Sequence, residues 1–207
     1  MFPLSLIPPV EETGYFSSDW RMSDDALFQL ARTLVHRKPR SILETGPGIS
    51  SYIFFKYQQL MRKELDIVVT YHIVDEKGEW HDRFRERMAH YNFPFDSVWP
   101  VPIKEDYYDV GGLYFGEMDF ISLDGPSSSG HRNSKAAHTF IGKHLGPNTV
   151  VVIDDANRPA EAALIEWLHA YRLSKFGPDL AGSCRHDTRR VWDTMFPKRH
   201  TAFVTPA

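Results

Sequence analysis

Cysteine is nearly missing from this chain. Cys184 is the only one in 207 residues, so neither an internal disulfide nor a thiolate-rich metal centre can form. A chain without a disulfide framework suits a reducing compartment, and the cytoplasm is the expected location. Long hydrophobic runs are missing too, and none approaches the length of a bilayer span. The opening stretch Met1 to Val10 is apolar, but it carries Pro3, Pro8 and Pro9 and no basic residue. It does not read as a secretory signal, and no membrane association is expected. An excess of positive charge is also lacking. The formal net charge of −3 gives no general affinity for a phosphate backbone. The C-terminal cluster Arg185, Arg189, Arg190, Lys198 and Arg199 is interleaved with Asp187 and Asp193, as on an ordinary charged face, so nucleic acid is not an expected partner. No G-x-S-x-G elbow, Cys–His nucleophile pattern or internal repeat is present.

What is present is enough for one globular domain. Hydrophobic residues make up 42% of the chain, more than a disordered segment carries and sufficient for a core without metal or disulfide staples. Residues 1–22 have no clear period and hold Tyr15, Phe16 and Trp20, which read as an N-terminal arm or lid before a domain spanning 23–207. Ser23 is placed to cap a helix whose Leu27, Leu30, Ala31 and Leu34 share a face and which Pro39 stops. Strands are expected over 41–44, 67–74, 119–123 and 149–153, with a weaker one over 97–103 because of Pro100 and Pro102. Helices are expected between them, including one after Gly48, one around Trp80, Phe84 and Met88, one over 133–145, and one through Leu164 and Leu168. The pieces 191–195 and 201–204 read as a closing antiparallel pair. Strands and helices alternating in this way predict an α/β fold, a mostly parallel sheet covered on both faces. In such sheets ligands bind beyond the carboxyl ends of the strands, where the strand order reverses. Each expected strand here ends in acid or glycine: Glu44 and Gly46, Asp75 and Glu76, Asp124 and Gly125, Asp154 and Asp155.

The most informative stretch is Glu44-Thr45-Gly46-Pro47-Gly48-Ile49-Ser50. Glycine allows a sharp turn and close backbone approach to a ligand, and the following helix offers N–H groups at its start. A dinucleotide fingerprint needs a third glycine, and Ser51 stands in its place. Glu44 would repel a pyrophosphate but attract the ammonium of an amino-acid ligand. Asp75 or Glu76, ending the next strand, can accept hydrogen bonds from ribose hydroxyls. An ammonium near Glu44 and a ribose near Asp75 together describe S-adenosylmethionine better than a nicotinamide cofactor. A turn needing glycine for packing alone is the plainer alternative.

With these motifs the sequence resembles the class I (Rossmann-like) S-adenosylmethionine-dependent methyltransferases, from about Ser41 to Trp167. Leu43 to Ser50 is similar to their first motif, Ile73-Val74-Asp75-Glu76 to the acidic second, Asp119 to Pro126 to the fourth-strand motif and Val150 to Asp155 to the fifth strand. The resemblance implies a three-layer αβα sandwich around a seven-stranded sheet with an antiparallel last strand. It implies cofactor contacts from Glu44, Gly46, Gly48, Ser50, Asp75, Glu76, Asp106 and Asp124, with Asp106 beside the adenine. In metal-dependent O-methyltransferases of this fold, acids ending the fourth and fifth strands hold a divalent cation. Asp124, Asp154 and Asp155 stand in those places, and oxygen ligands of this kind suit Mg²⁺, Ca²⁺ or Mn²⁺. The departure is Asp-Asp where catechol-type enzymes have Asp-Asn, and a Gly-Pro after Asp124 that they lack. Helix capping and loop support are the plainer roles for these acids.

Asp124 and His131 are the catalytic candidates. His131 lies in the polar loop Ser127 to Asn133, and its ordinary pKa suits a general base. His138 is a weaker candidate, and Arg132 or Arg158 could meet an anionic substrate or Asp124. The leading expectation is methyl transfer to oxygen of a small-molecule acceptor, with a homodimer as the candidate assembly. Metal-assisted non-methyl chemistry and a non-catalytic binding module on the same fold are the alternatives. A filled cofactor turn would mark the latter.

Overall fold

The computed structural model describes residues 6–7, 22–76, 78–104, 107–126, 133–183, 187–192 and 200–205. The first helix, α1 (Asp24–Arg37), starts where the Ser23 hydroxyl accepts the Ala26 N–H at 3.2 Å and ends at a left-handed Lys38. Strand β1 (Ser41–Thr45) follows, then α2 (Ile49–Leu65), β2 (Thr70–Glu76) and α3 (Glu79–Ala89). Next come β3 (Val98–Val101), a short hairpin of β4 (Ile103–Lys104) with β5 (Tyr107–Tyr108), β6 (Met118–Leu123) and α4 (Lys135–His144). Strand β7 (Leu145–Ile153), helix α5 (Pro159–Ser183), β8 (Asp187–Trp192) and β9 (His200–Thr205) complete the chain order.

Seven of the strands form one sheet in the order β3-β2-β1-β6-β7-β9-β8. The run from β3 to β7 is parallel, and β9 is antiparallel to both of its neighbours. The expected α/β sandwich and its antiparallel last strand are therefore present. Alternation along the strands separates two cores. Ile42, Ile73, Phe120, Val150 and Val152 pack with α1, α2 and α3, whereas Leu43, Val74, Ile121, Val151 and Ile153 pack with α4 and α5. A strand buried on both faces has no polar side to show, which is why β7 contains an unbroken Val-Val-Val-Ile run.

Several boundaries differ from expectation, for local reasons. The expected strand 97–103 divides at Pro102, and Pro100 is tolerated because β3 lies at the sheet edge, paired among the described residues with β2 alone. Strand β2 begins three residues later than expected and runs on through Asp75 and Glu76. Strand β7 starts at Leu145, earlier than its Gly146-Pro147-Asn148 stretch indicated, because Leu145 pairs with Met118 ahead of an irregularity in the β6–β7 register. The closing pair comprises 187–192 and 200–205, rather than 191–195 and 201–204. Of the expected arm, Leu6 and Met22 are buried in the first core. Tyr15, Phe16 and Trp20 lie outside the described residues.

Candidate functional site

The order reverses at β1. The chain steps outward through β2 and β3, then crosses to β6 on the other side of β1, so the switch point lies between the ends of β1 and β6. There the Thr45 carbonyl accepts the N–H groups of Asp124 and Gly125 at 2.9 and 3.0 Å. Gly46 follows with φ +70° and donates its N–H to the Val74 carbonyl at 3.1 Å. A Cβ on Gly46 would stand 2.3 Å from the Gly125 nitrogen, so this glycine is required by backbone meeting backbone. Gly48 differs. Among the described residues, a Cβ there meets nothing within 4 Å, and the turn is open to them on that side. The glycine-only-for-packing alternative thus accounts for Gly46 and leaves Gly48 unexplained.

Glu44 lies beneath the turn. It is wholly buried, and its carboxylate is turned toward the protein's own hydroxyls: Ser50 Oγ at 2.5 Å, Ser51 Oγ at 2.6 Å and the Tyr71 phenol. Ser51 Oγ also accepts the Gly48 N–H at 3.1 Å. The chain of contacts runs from Glu44 through Ser51 to Gly48, and it fixes the shape of the turn from below. Burial pushes the Glu44 carboxyl up to about 7, against the opposing pull of the three hydroxyls. Burial and the neighbouring Glu44 hold the Tyr71 phenol well above its ordinary range.

At the end of β2, Asp75 is also buried. Its Oδ1 accepts the Glu76 N–H at 2.8 Å, and its Oδ2 lies 2.9 Å from His81 Nδ1 in the first turn of α3. Burial raises its carboxyl to about 6, while His81 pulls in the opposite direction. Asp124, Asp154 and Asp155 each bring an oxygen to within 4.8 Å of the others. The Asp154 N–H bonds Leu123, which places β7's end beside β6's end. Thr201 donates to Asp154 Oδ1 at 2.6 Å, and Arg158 pairs with Asp155 Oδ2 at 2.7 Å. Oxygens around Mg²⁺ or Ca²⁺ span about 3–5 Å across the shell, so this acidic set has the spacing and donor chemistry for such a cation.

The structure therefore brings Glu44, Gly46, Gly48 and Ser50 into one turn, with Asp75 and Glu76 at the adjacent strand end. Asp124, Asp154 and Asp155 gather on the other side of β1. His131, Asp106 and Arg132 lie outside the described residues. His138 stacks on Trp167 at 4.1 Å and contacts Asn133 Oδ1 at 2.7 Å through Nε2, and Arg158 pairs with Asp155 rather than Asp124. Sequence reasoning missed Tyr71 and His81. Tyr71 lies four residues before Asp75 on the same face of β2, and His81 six residues after it, spacings visible in the chain but meaningful only with the sheet register.

No protein-family model and no curated protein sequence matches the chain. Solved structures do resemble it. The O-methyltransferase TomG from Streptomyces achromogenes, involved in tomaymycin synthesis and solved with S-adenosylmethionine, superposes at TM-score 0.57 with 14% identity, covering 97% of this chain and 91% of its own. An O-methyltransferase from Bacillus cereus, solved with S-adenosylhomocysteine, gives 0.56 at 14% identity and coverages of 97% and 93%. The strand order and these likenesses define a class I methyltransferase fold.

Proposed function

We propose that this chain is an S-adenosylmethionine-dependent methyltransferase acting on an oxygen of a small molecule. The observation that supports the proposal best is Gly48, a glycine that no contact among the described residues requires, opening the turn at the switch point of this fold. The open turn favours a ligand-binding protein over a module whose crevice has been filled. The sulfonium methyl is already activated, so transfer needs in-line positioning and a deprotonated acceptor.

The chain's residues divide that work. The turn from Gly46 to Ser50 leads into α2, whose first-turn N–H groups and dipole suit the carboxylate of an amino-acid moiety. Glu44, expected at the ammonium, acts in this proposal through Ser50 and Ser51 as the support of the turn. Asp75 and Glu76 accept from sugar hydroxyls, and Asp106 is assigned to the adenine. On the acceptor side, Asp124 with Asp154 and Asp155 would hold a divalent cation that lowers the pKa of an acceptor hydroxyl. His131 is proposed as the base that takes the proton.

The test is turnover. The chain is incubated with S-adenosylmethionine and a panel of hydroxylated aromatic acceptors, with Mg²⁺ or with a chelator, and S-adenosylhomocysteine is quantified. The proposal expects product that depends on both acceptor and cation. Product equal with chelator removes the metal role. Methylation of nitrogen or carbon acceptors alone removes the oxygen assignment, and cofactor binding without turnover favours a binding module.

A further inference from the structure

The buried contact between Asp75 and His81 is not needed to dock α3. That helix is already anchored by Phe84 and Met88, at 4% and 0% exposure, within the first core. Placing an acid and an imidazole in such a core is costly in desolvation unless their geometry is good. The geometry here is good: 2.9 Å between His81 Nδ1 and Asp75 Oδ2, with each residue about 5% exposed. The Glu76 N–H holds the other oxygen, so the carboxylate plane is fixed from both sides. A carboxylate has about four acceptor sites, so roughly two remain for a ligand. Glu76 acts on Asp75 as a like charge, and Asp75 acts likewise on Glu44, whereas His81 favours the ionised acceptor form of Asp75.

We infer that His81 is a positioning residue for the nucleoside sugar: by holding Asp75 Oδ2 it aims the carboxylate's remaining acceptor sites at the vicinal hydroxyls. This rests on the reading of the crevice as a sulfonium-nucleoside site.

The experiment is a binding cycle on the full chain. S-Adenosylhomocysteine and its 2′-deoxy counterpart are titrated calorimetrically into the wild type, His81→Phe and His81→Asn. Phe keeps an aromatic ring, a somewhat larger one, and removes the donor, whereas the Asn amide can occupy the Nδ1 position. The wild type is expected to lose about tenfold or more in affinity with the deoxy ligand. His81→Phe binds the parent ligand about tenfold more weakly and hardly distinguishes the two ligands, while His81→Asn retains both affinity and discrimination. Should His81→Phe not fold, His81→Gln, whose amide sits one bond farther out, is expected to lose most of the discrimination. Equal losses for both ligands in His81→Phe, or wild-type discrimination in His81→Phe or His81→Gln, overturn the role of His81 while leaving the site intact. A wild type that binds neither ligand removes the site reading and this inference with it.

Discussion

Gly46 and Gly125 meet back to back where β1 and β6 end: a Cβ on Gly125 would stand 2.8 Å from the Gly46 Cα, and one on Gly46 would stand 2.6 Å from the Gly125 Cα. The contact joins the turn after β1 to the end of β6, 79 positions apart in the chain. Tyr108 closes over Gly125 from the β4–β5 hairpin, leaving no room for a side chain there either. The switch point is therefore a close backbone junction, and the open side of the turn is displaced to Gly48.

Two alanine substitutions two residues apart should consequently behave in opposite ways. Gly46→Ala combines a left-handed φ with a backbone collision and is expected to lose about 2–4 kcal/mol of stability. Gly48→Ala has an extended φ of −159° and no described residue within 4 Å of the new Cβ, so its stability should stay within about 0.5 kcal/mol while cofactor affinity falls. Denaturant unfolding and calorimetry measure both. Equal stability losses at the two positions would contradict the division of roles.

Glu44 should make stability depend on pH in the alkaline direction. Its carboxyl rises from an ordinary 4.5 to about 7 on burial, so its contribution is full below the unfolded value and is lost as pH climbs through about 7. Relative to Glu44→Gln, the wild type should lose on the order of 3 kcal/mol between pH about 4.5 and about 7, then level off. Urea unfolding of both proteins across that window checks this. Parallel profiles would show that Glu44 does not titrate there.

His144 should work in the acid direction. It is buried, with Nδ1 at 2.7 Å from the Phe140 carbonyl and Nε2 accepting the Phe115 N–H at 3.2 Å, an arrangement that requires the neutral ring. Burial lowers it to about 4 from 6.5, so its contribution is present above pH 6.5 and lost as pH falls toward 4. His144→Gln, which keeps a donor and an acceptor, is expected to flatten the fall in melting temperature over that range. An unchanged fall would assign the acid sensitivity elsewhere.

The acidic set makes a third kind of prediction. If Asp124, Asp154 and Asp155 hold a cation, millimolar Mg²⁺ or Mn²⁺ raises the melting temperature of the wild type by mass action and leaves Asp124→Asn unmoved. The same shift in both proteins would mean that the ion binds elsewhere.

The parts of this site set by local chemistry were legible in the sequence. Thr149 to Ile153 reads as a strand, which the structure buries on both faces, and the acids and glycines at the strand ends point to a candidate functional edge. Gly46 and Gly48 can be named from the motif but not told apart, because the difference between them is the presence of Gly125 against one and, among the described residues, of nothing against the other. Glu44 reads from the sequence as a ligand contact, and the sequence does not show its neighbours across the sheet. Only the register, with Glu44 opposite Ile73, puts Tyr71 and Glu44 on one face. His81 was hidden for the same reason, since its partner is chosen by how α3 folds back on β2. Pro100 weakens the strand signal of β3 in the sequence, and the edge position of β3 accommodates it.

The most direct test of the account is calorimetric titration of the intact chain with S-adenosylhomocysteine, beside Gly48→Leu confirmed as folded by its melting curve. The account predicts one site per chain in the wild type and loss of that binding when the leucine side chain fills the open side of the turn. No binding by the wild type, or the same affinity in both proteins, would contradict it.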